Sequence, residues 1–80
     1  MTIHIQWDTG YMNINPDKFF PCTLDTLKDL KKKVINISHN REEVIGQIRD
    51  HLRERVKNTD PESFVGKRLN RQLREVEQWE

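Results

Sequence analysis

Residues 2–7 alternate, with Ile3, Ile5 and Trp7 on one side of the chain and Thr2, His4 and Gln6 on the other. That is the period of a half-buried strand. Residues 11–15 alternate again, Met12 and Ile14 being the apolar positions. Between the two runs, Asp8-Thr9-Gly10 supplies a turn, with a glycine for the positive backbone dihedral that tight hairpins use. A two-residue turn at Thr9-Gly10 sets Trp7 against Met12 and Ile5 against Ile14. All five apolar side chains then share one face, which a loop one residue longer would scatter. The pattern predicts a hairpin over 2–15, and because an isolated hairpin is marginal in water, its apolar face is expected to rest on helices.

The stretch from Asn15 to Cys22, with Pro16 and Pro21 near its ends, reads as a connecting loop that tucks Phe19 and Phe20 into the core. Thr23 can cap a helix in which Leu24, Leu27, Leu30 and Val34 fall at helical spacing, with Asp25/Lys28 and Asp29/Lys33 pairs outside. This first helix is expected over about 24–36. Asn36 to Asn40 break the pattern, and Asn40 with Glu43 resembles a capping box. A second helix over about 41–57 carries Val44, Ile45, Ile48, Leu52 and Val56 on one stripe. Asp60-Pro61-Glu62 reads as a cap, a proline at the first helical position and an acid in the first turn. A third helix over about 61–79 then buries Val65, Leu69, Leu73 and Val76, while Trp79 falls where both core and exposed contact are open. The fold class expected is α+β, a two-stranded antiparallel hairpin packed on three helices in the order ββααα.

At 80 residues the chain holds one small core and no second domain. Hydrophobic and charged residues each make up 34%, and the periodic apolar positions argue for folding in spite of that lean ratio. Lys plus Arg number 14 against 13 for Asp plus Glu, so the whole-molecule field gives no general attraction to polyanions; any such binding must be local. The single Cys22 excludes an internal disulfide and suits the reducing cytoplasm. No apolar run is long enough to span a membrane, so membrane insertion is not expected.

Candidate chemistry concentrates on the third helix. Lys67, Arg71 and Arg74 lie within about 60° of one another opposite the apolar stripe, at roughly 100° per residue. Arg68 lies to one side, Phe64 projects toward the same region, and Arg49 and Arg53 of the second helix can extend the patch. These seven are the candidate partner-binding residues, offering cations and one aromatic ring to an acidic protein surface or to nucleic acid. The alternative is a solvated face in which Arg71/Glu75 and Arg74/Glu77 form ordinary surface pairs. The hairpin edges are a second candidate, for a partner strand or a second copy of the chain. His4, His39, His51 and Cys22 lack metal-ligand spacing, and no phosphate loop, nucleophile elbow or paired carboxylates are present, so neither a cofactor nor an enzyme is expected. Cys22 precedes a helix start, a place that can lower a thiol pKa, but no base is positioned beside it by the sequence.

In type, with its Trp-bearing hairpin (Ile3-His4-Ile5-Gln6-Trp7 to Met12-Asn13-Ile14), one cysteine and charged helices, the chain resembles the small accessory proteins of phages and mobile elements, anti-CRISPR inhibitors among them. The resemblance covers the architecture and carries over no site residues. It implies an inhibitor or regulator that blocks a larger nucleic-acid-handling machine by protein contact. A non-enzymatic protein-binding module is therefore the expected function, and direct nucleic-acid binding through the third helix the alternative.

Overall fold

The computed structural model describes residues 2–79. Strands β1 (Ile3–Trp7) and β2 (Gly10–Ile14) form a two-stranded antiparallel sheet, followed by helices α1 (Pro16–Phe19), α2 (Leu24–Lys32), α3 (Arg41–Lys57) and α4 (Phe64–Glu77). A π-helical turn, Lys33–Ile37, continues α2. The arrangement is the α+β class expected. One core joins the hairpin to the helices: Ile3, Ile5 and Ile14 meet Phe20, Leu27, Leu30, Val34, Val44, Ile45, Ile48, Leu52, Leu69 and Val76.

The hairpin keeps the expected face but not the expected partners. Ile3 pairs with Ile14, Ile5 with Met12 and Trp7 with Gly10, so the two-residue turn is Asp8-Thr9 and β2 is shifted by two residues. Turning at Thr9-Gly10 would have set Ile3 against Pro16, which has no N–H to give to the ladder. A shift of two leaves every side chain on its own face, so alternation could not distinguish the registers. Gly10 takes no positive φ; it closes the ladder opposite the half-buried indole of Trp7.

The connector is more ordered than a loop. Asn15 caps the single turn of α1 by accepting from the Asp17 N–H (3.1 Å), and Phe20-Pro21 is a cis peptide. Arg55 of α3 donates to the Phe20 carbonyl at 3.1 Å, while Gln72 of α4 both donates to the Cys22 carbonyl (2.6 Å) and accepts from the Cys22 N–H (3.2 Å). The Gln72 amide thus pairs with backbone as a neighbouring strand would, which satisfies a polar side chain only 7% exposed. Phe20 is thereby held in the core, its ring edge-on to that of Phe19.

Several local expectations are corrected. Thr23 caps α2 through the Thr26 N–H, but Leu24 is 61% exposed and stands outside the core. The Asn40 side chain makes no cap bond to α3. Its Nδ2 donates to the His4 carbonyl (2.7 Å) and its Oδ1 accepts from the Gln6 N–H (3.2 Å), while the His39 N–H donates to the Gln6 carbonyl (2.8 Å). The outer edge of β1 is closed by this loop, so only the β2 edge is open: the outward N–H and C=O groups of Tyr11 and Asn13 have no partner among the described residues.

Helix α4 begins at Phe64, not at Pro61. Asp60 instead anchors a turn, accepting from the Glu62 N–H at its side chain (3.0 Å) and from Ser63 at its carbonyl, and Ser63 Oγ caps the Gly66 N–H (3.0 Å). The turn folds back so far that a Cβ on Gly66 would lie 2.0 Å from the Asp60 oxygen. Val65, expected in the core, is 42% exposed and Leu73 only half-buried, while Trp79 is buried just past the helix end at 3% exposed.

Candidate partner-binding surface

Helix α4 sends Leu69, Gln72 and Val76 inward, which fixes the opposite face by the 3.6-residue period. On that face Lys67, Arg71 and Arg74 are exposed and form no hydrogen bond or ion pair among the described residues. The acids that could neutralise them within the helix are engaged elsewhere. Glu75 faces Lys31 of α2 at 4.0 Å, and Glu77 pairs with Arg53 of α3 at 3.0 Å. Neither Arg71/Glu75 nor Arg74/Glu77 is a pair in the structure, so the strip keeps its positive charge.

Arg53 and Arg68 lie on opposite flanks of α4, because Arg53 reaches Glu77 and positions 68 and 77 are half a turn apart. Arg68 serves the fold as well as the surface. It donates to the Cys22 carbonyl at 2.8 Å, and its guanidinium sits 5.6 Å from the centre of the Phe64 ring, a cation–π distance. Phe64 itself is 74% exposed. Arg49 is half-buried with Nε 4.0 Å from the Asp50 carboxylate. The α4 strip therefore continues toward α2 rather than toward α3.

On that α2 side lies a cleft of about 300 Å³ between Cys22, Leu24, Leu27, Arg68, Arg71, Gln72 and Glu75. A neighbouring depression of about 390 Å³ is bounded by Lys28, Lys31, Lys32, Ile35, Asn36 and Glu75. The two share Glu75, so the lysines of α2 and the cations of α4 border one continuous surface. Asp29 is occupied with Lys33 (3.2 Å), and Lys28 and Lys32 have no acidic partner among the described residues. Although the chain's formal charge is only +1, seven of its Lys and Arg residues, Lys28, Lys31, Lys32, Lys67, Arg68, Arg71 and Arg74, border the α2–α4 face, and long-range attraction depends on that local field.

Lys28, Lys31, Lys32 and Leu24 are additions to the sequence-derived set. Their only signal was an apolar first residue in α2 and lysines one turn apart on its outer side; which helix lies beside them is a tertiary fact. Gln72 was legible in principle, as a polar residue at a core phase between Leu69 and Val76.

The remaining chemistry is sparse. Burial pushes the Cys22 thiol up from its ordinary value in spite of the opposing pull of Arg68, which withholds the thiolate at neutral pH. Among the described residues no three of His, Cys, Asp and Glu gather closely enough to hold a metal ion, and no helix is long and apolar enough to cross a membrane. His39 meets Asp8 at 2.5 Å and His4 meets Asn13 at 2.6 Å, both on the exposed side of the hairpin. No protein-family model, no curated protein and no solved structure matches the chain.

Proposed function

We propose that the protein is a non-enzymatic binding module that docks its α2–α4 face on an acidic protein surface and acts by steric blocking, as an inhibitor or regulator of a larger machine. The lone cysteine, its thiol half-buried and protonated, fits a cytoplasmic setting. The observation that carries the reading is the strip of Lys67, Arg71 and Arg74, uncompensated among the described residues because the neighbouring acids are spent on Lys31 and Arg53. Exposed Phe64 and Leu24 beside those cations supply the apolar contact area that a purely solvated face lacks. An inhibitor of a nucleic-acid-handling machine, the function implied by the anti-CRISPR-like resemblance, is one member of this class.

Nucleic acid is the second reading, favoured by the additional lysines of α2. Against it stands reach. Lys67 to Arg74 spans roughly 10 Å of helix at about 1.5 Å per residue, enough for two or three phosphates where duplex binders commonly neutralise about 6–10. The open edge of β2 offers a second contact, either for a partner strand or for a second copy, since no charged side chain guards Thr9 to Asn15.

The test is affinity capture from native lysate with wild type and with Lys67→Ala/Arg71→Ala/Arg74→Ala, each with and without nuclease. A specific protein retained by wild type despite nuclease, and lost in the variant, supports the docking role. Recovery of nucleic acid, with proteins that vanish on digestion, replaces it with the second reading.

A further inference from the structure

The α2–α4 face has chemical detail beyond its charge. Leu24 is the first residue of α2 and stands 61% exposed, and Phe64 is the first residue of α4 and stands 74% exposed. Between them lies Arg68, held on one side by the Cys22 carbonyl at 2.8 Å and on the other by the Phe64 ring. The floor of the cleft is fixed as well, because Gln72 is clamped to the Cys22 backbone in both directions. Leu24 and Leu27 line the same cleft of about 300 Å³ as Arg68, Arg71 and Glu75, whose carboxylate is faced by Lys31 at 4.0 Å. Lys67 and Arg74 border a depression that shares Arg71 and Glu75 with the cleft, and Lys28 borders one that shares Glu75, all three unpaired among the described residues.

We infer that this cleft seats one large apolar side chain, presented by an acidic segment of the partner protein whose carboxylates lie on either side of it. The inference rests on the docking role proposed above and narrows it to a partner chemistry. A leucine wall rewards removal of an apolar group from water, and the volume suits a single bulky side chain rather than a ligand enclosed on all sides. A carboxylate on one side of that anchor meets Arg71, Lys67 or Arg74, and one on the other side meets Lys28, so charge complementarity selects an acidic segment. Apolar anchors in pockets that exist before binding dominate the energetics of protein contacts, because little ordering is left to be done when the partner arrives. Arg68 acts here as a wall whose position is already fixed, and Arg71 as the cation free to pair.

The experiment uses two short synthetic peptides of Asp and Glu, one with a central Trp and one with Gly in its place, titrated into isotopically labelled full-length protein and followed by amide chemical shifts. The Trp peptide is expected to bind at least about tenfold more tightly, a gain typical of one well-seated anchor, and to move Cys22, Leu24, Leu27 and Gln72. The Gly peptide should move only residues of the cationic strip. Leu24→Asp should abolish the tenfold gain; since Leu24 is exposed and follows the Thr23 cap, the variant should keep the wild-type circular dichroism. Equal affinities, or shifts that leave Cys22 and Leu24 unmoved, overturn the cleft assignment. If both peptides bind equally and both are lost in Lys67→Ala/Arg71→Ala/Arg74→Ala, the cationic docking face survives and the anchor pocket does not. Binding of either peptide that is unaffected by that triple variant, or no binding of either, sinks both.

Discussion

The side chain of Asn40 donates to the carbonyl of His4 at 2.7 Å and so stands where a third strand would stand beside β1. Its carbonyl oxygen accepts from the Gln6 N–H, and the next residue back, His39, donates its own N–H to the Gln6 carbonyl. Three bonds from one loop close an edge that is otherwise free to pair with foreign strands. Asn40→Ala hands the exposed His4 carbonyl and Gln6 N–H to water and should cost about 0.5–1.5 kcal/mol, the usual net worth of a hydrogen bond that water can replace. Chemical denaturation measures the loss, and faster hydrogen exchange at Gln6 locates it. An unchanged Gln6 exchange rate would mean that the loop does not hold the edge in solution.

Gly66 is the position least able to accept a side chain, because its Cβ would fall 2.0 Å from the Asp60 oxygen in backbone that cannot swing aside. In an exposed helix interior, Gly→Ala stabilises by up to about 1 kcal/mol. Here the sign should reverse, with Gly66→Ala destabilising by about 1–3 kcal/mol as the Asp60 turn is forced off the helix. The thermal midpoint decides the sign, and a rise would contradict the close approach.

His51 provides a pH dependence. Burial pushes its pKa below the ordinary 6.5, assisted by Arg55 and opposed by Asp17, whose carboxylate is 3.7 Å from Nε2. A histidine that binds its proton less readily folded than unfolded favours the folded state at pH above the unfolded value. That contribution is lost as pH falls from 6.5 toward the folded value. The urea midpoint of wild type should therefore drop more between about pH 7.5 and about pH 5.5 than that of His51→Gln, which carries no titrating group there. Parallel drops would show that His51 is not the group responsible.

The cationic strip is expected to be dispensable for folding. Since Lys67, Arg71 and Arg74 are exposed and bound to nothing among the described residues, replacing all three with Ala should change stability by no more than about 0.5 kcal/mol per site. Removing neighbouring like charges and adding good helix formers works, if anything, in the stabilising direction. A guanidinium titration of the triple variant checks this, and a large loss would reveal a structural role instead.

Much of this protein was legible from local periodicity. The alternation of Ile3, Ile5, Trp7, Met12 and Ile14 determined which face of the hairpin is buried, and the 3.6-residue stripe of Val44, Ile45, Ile48 and Leu52 determined α3, because the side-chain period depends on backbone geometry alone. Lys67, Arg71 and Arg74 were placed on one outer face for the same reason. Other features depended on what lies across space. The hairpin register turned on whether Ile3 would meet a proline, and the start of α4 on whether the Asp60 turn could fold onto Gly66. The closed β1 edge required Asn40 to be drawn from its own helix to a strand more than thirty residues away. The interface took its extent from tertiary packing too: Lys67, Arg71 and Arg74 are unpaired among the described residues because Glu75 faces α2 and Glu77 faces α3, and the lysines of α2 join them because Lys31 reaches Glu75 and one cleft is lined from both helices. Periodicity assigns a side chain to a face of its own element, but the partner of that face is chosen by the packing of all the elements together.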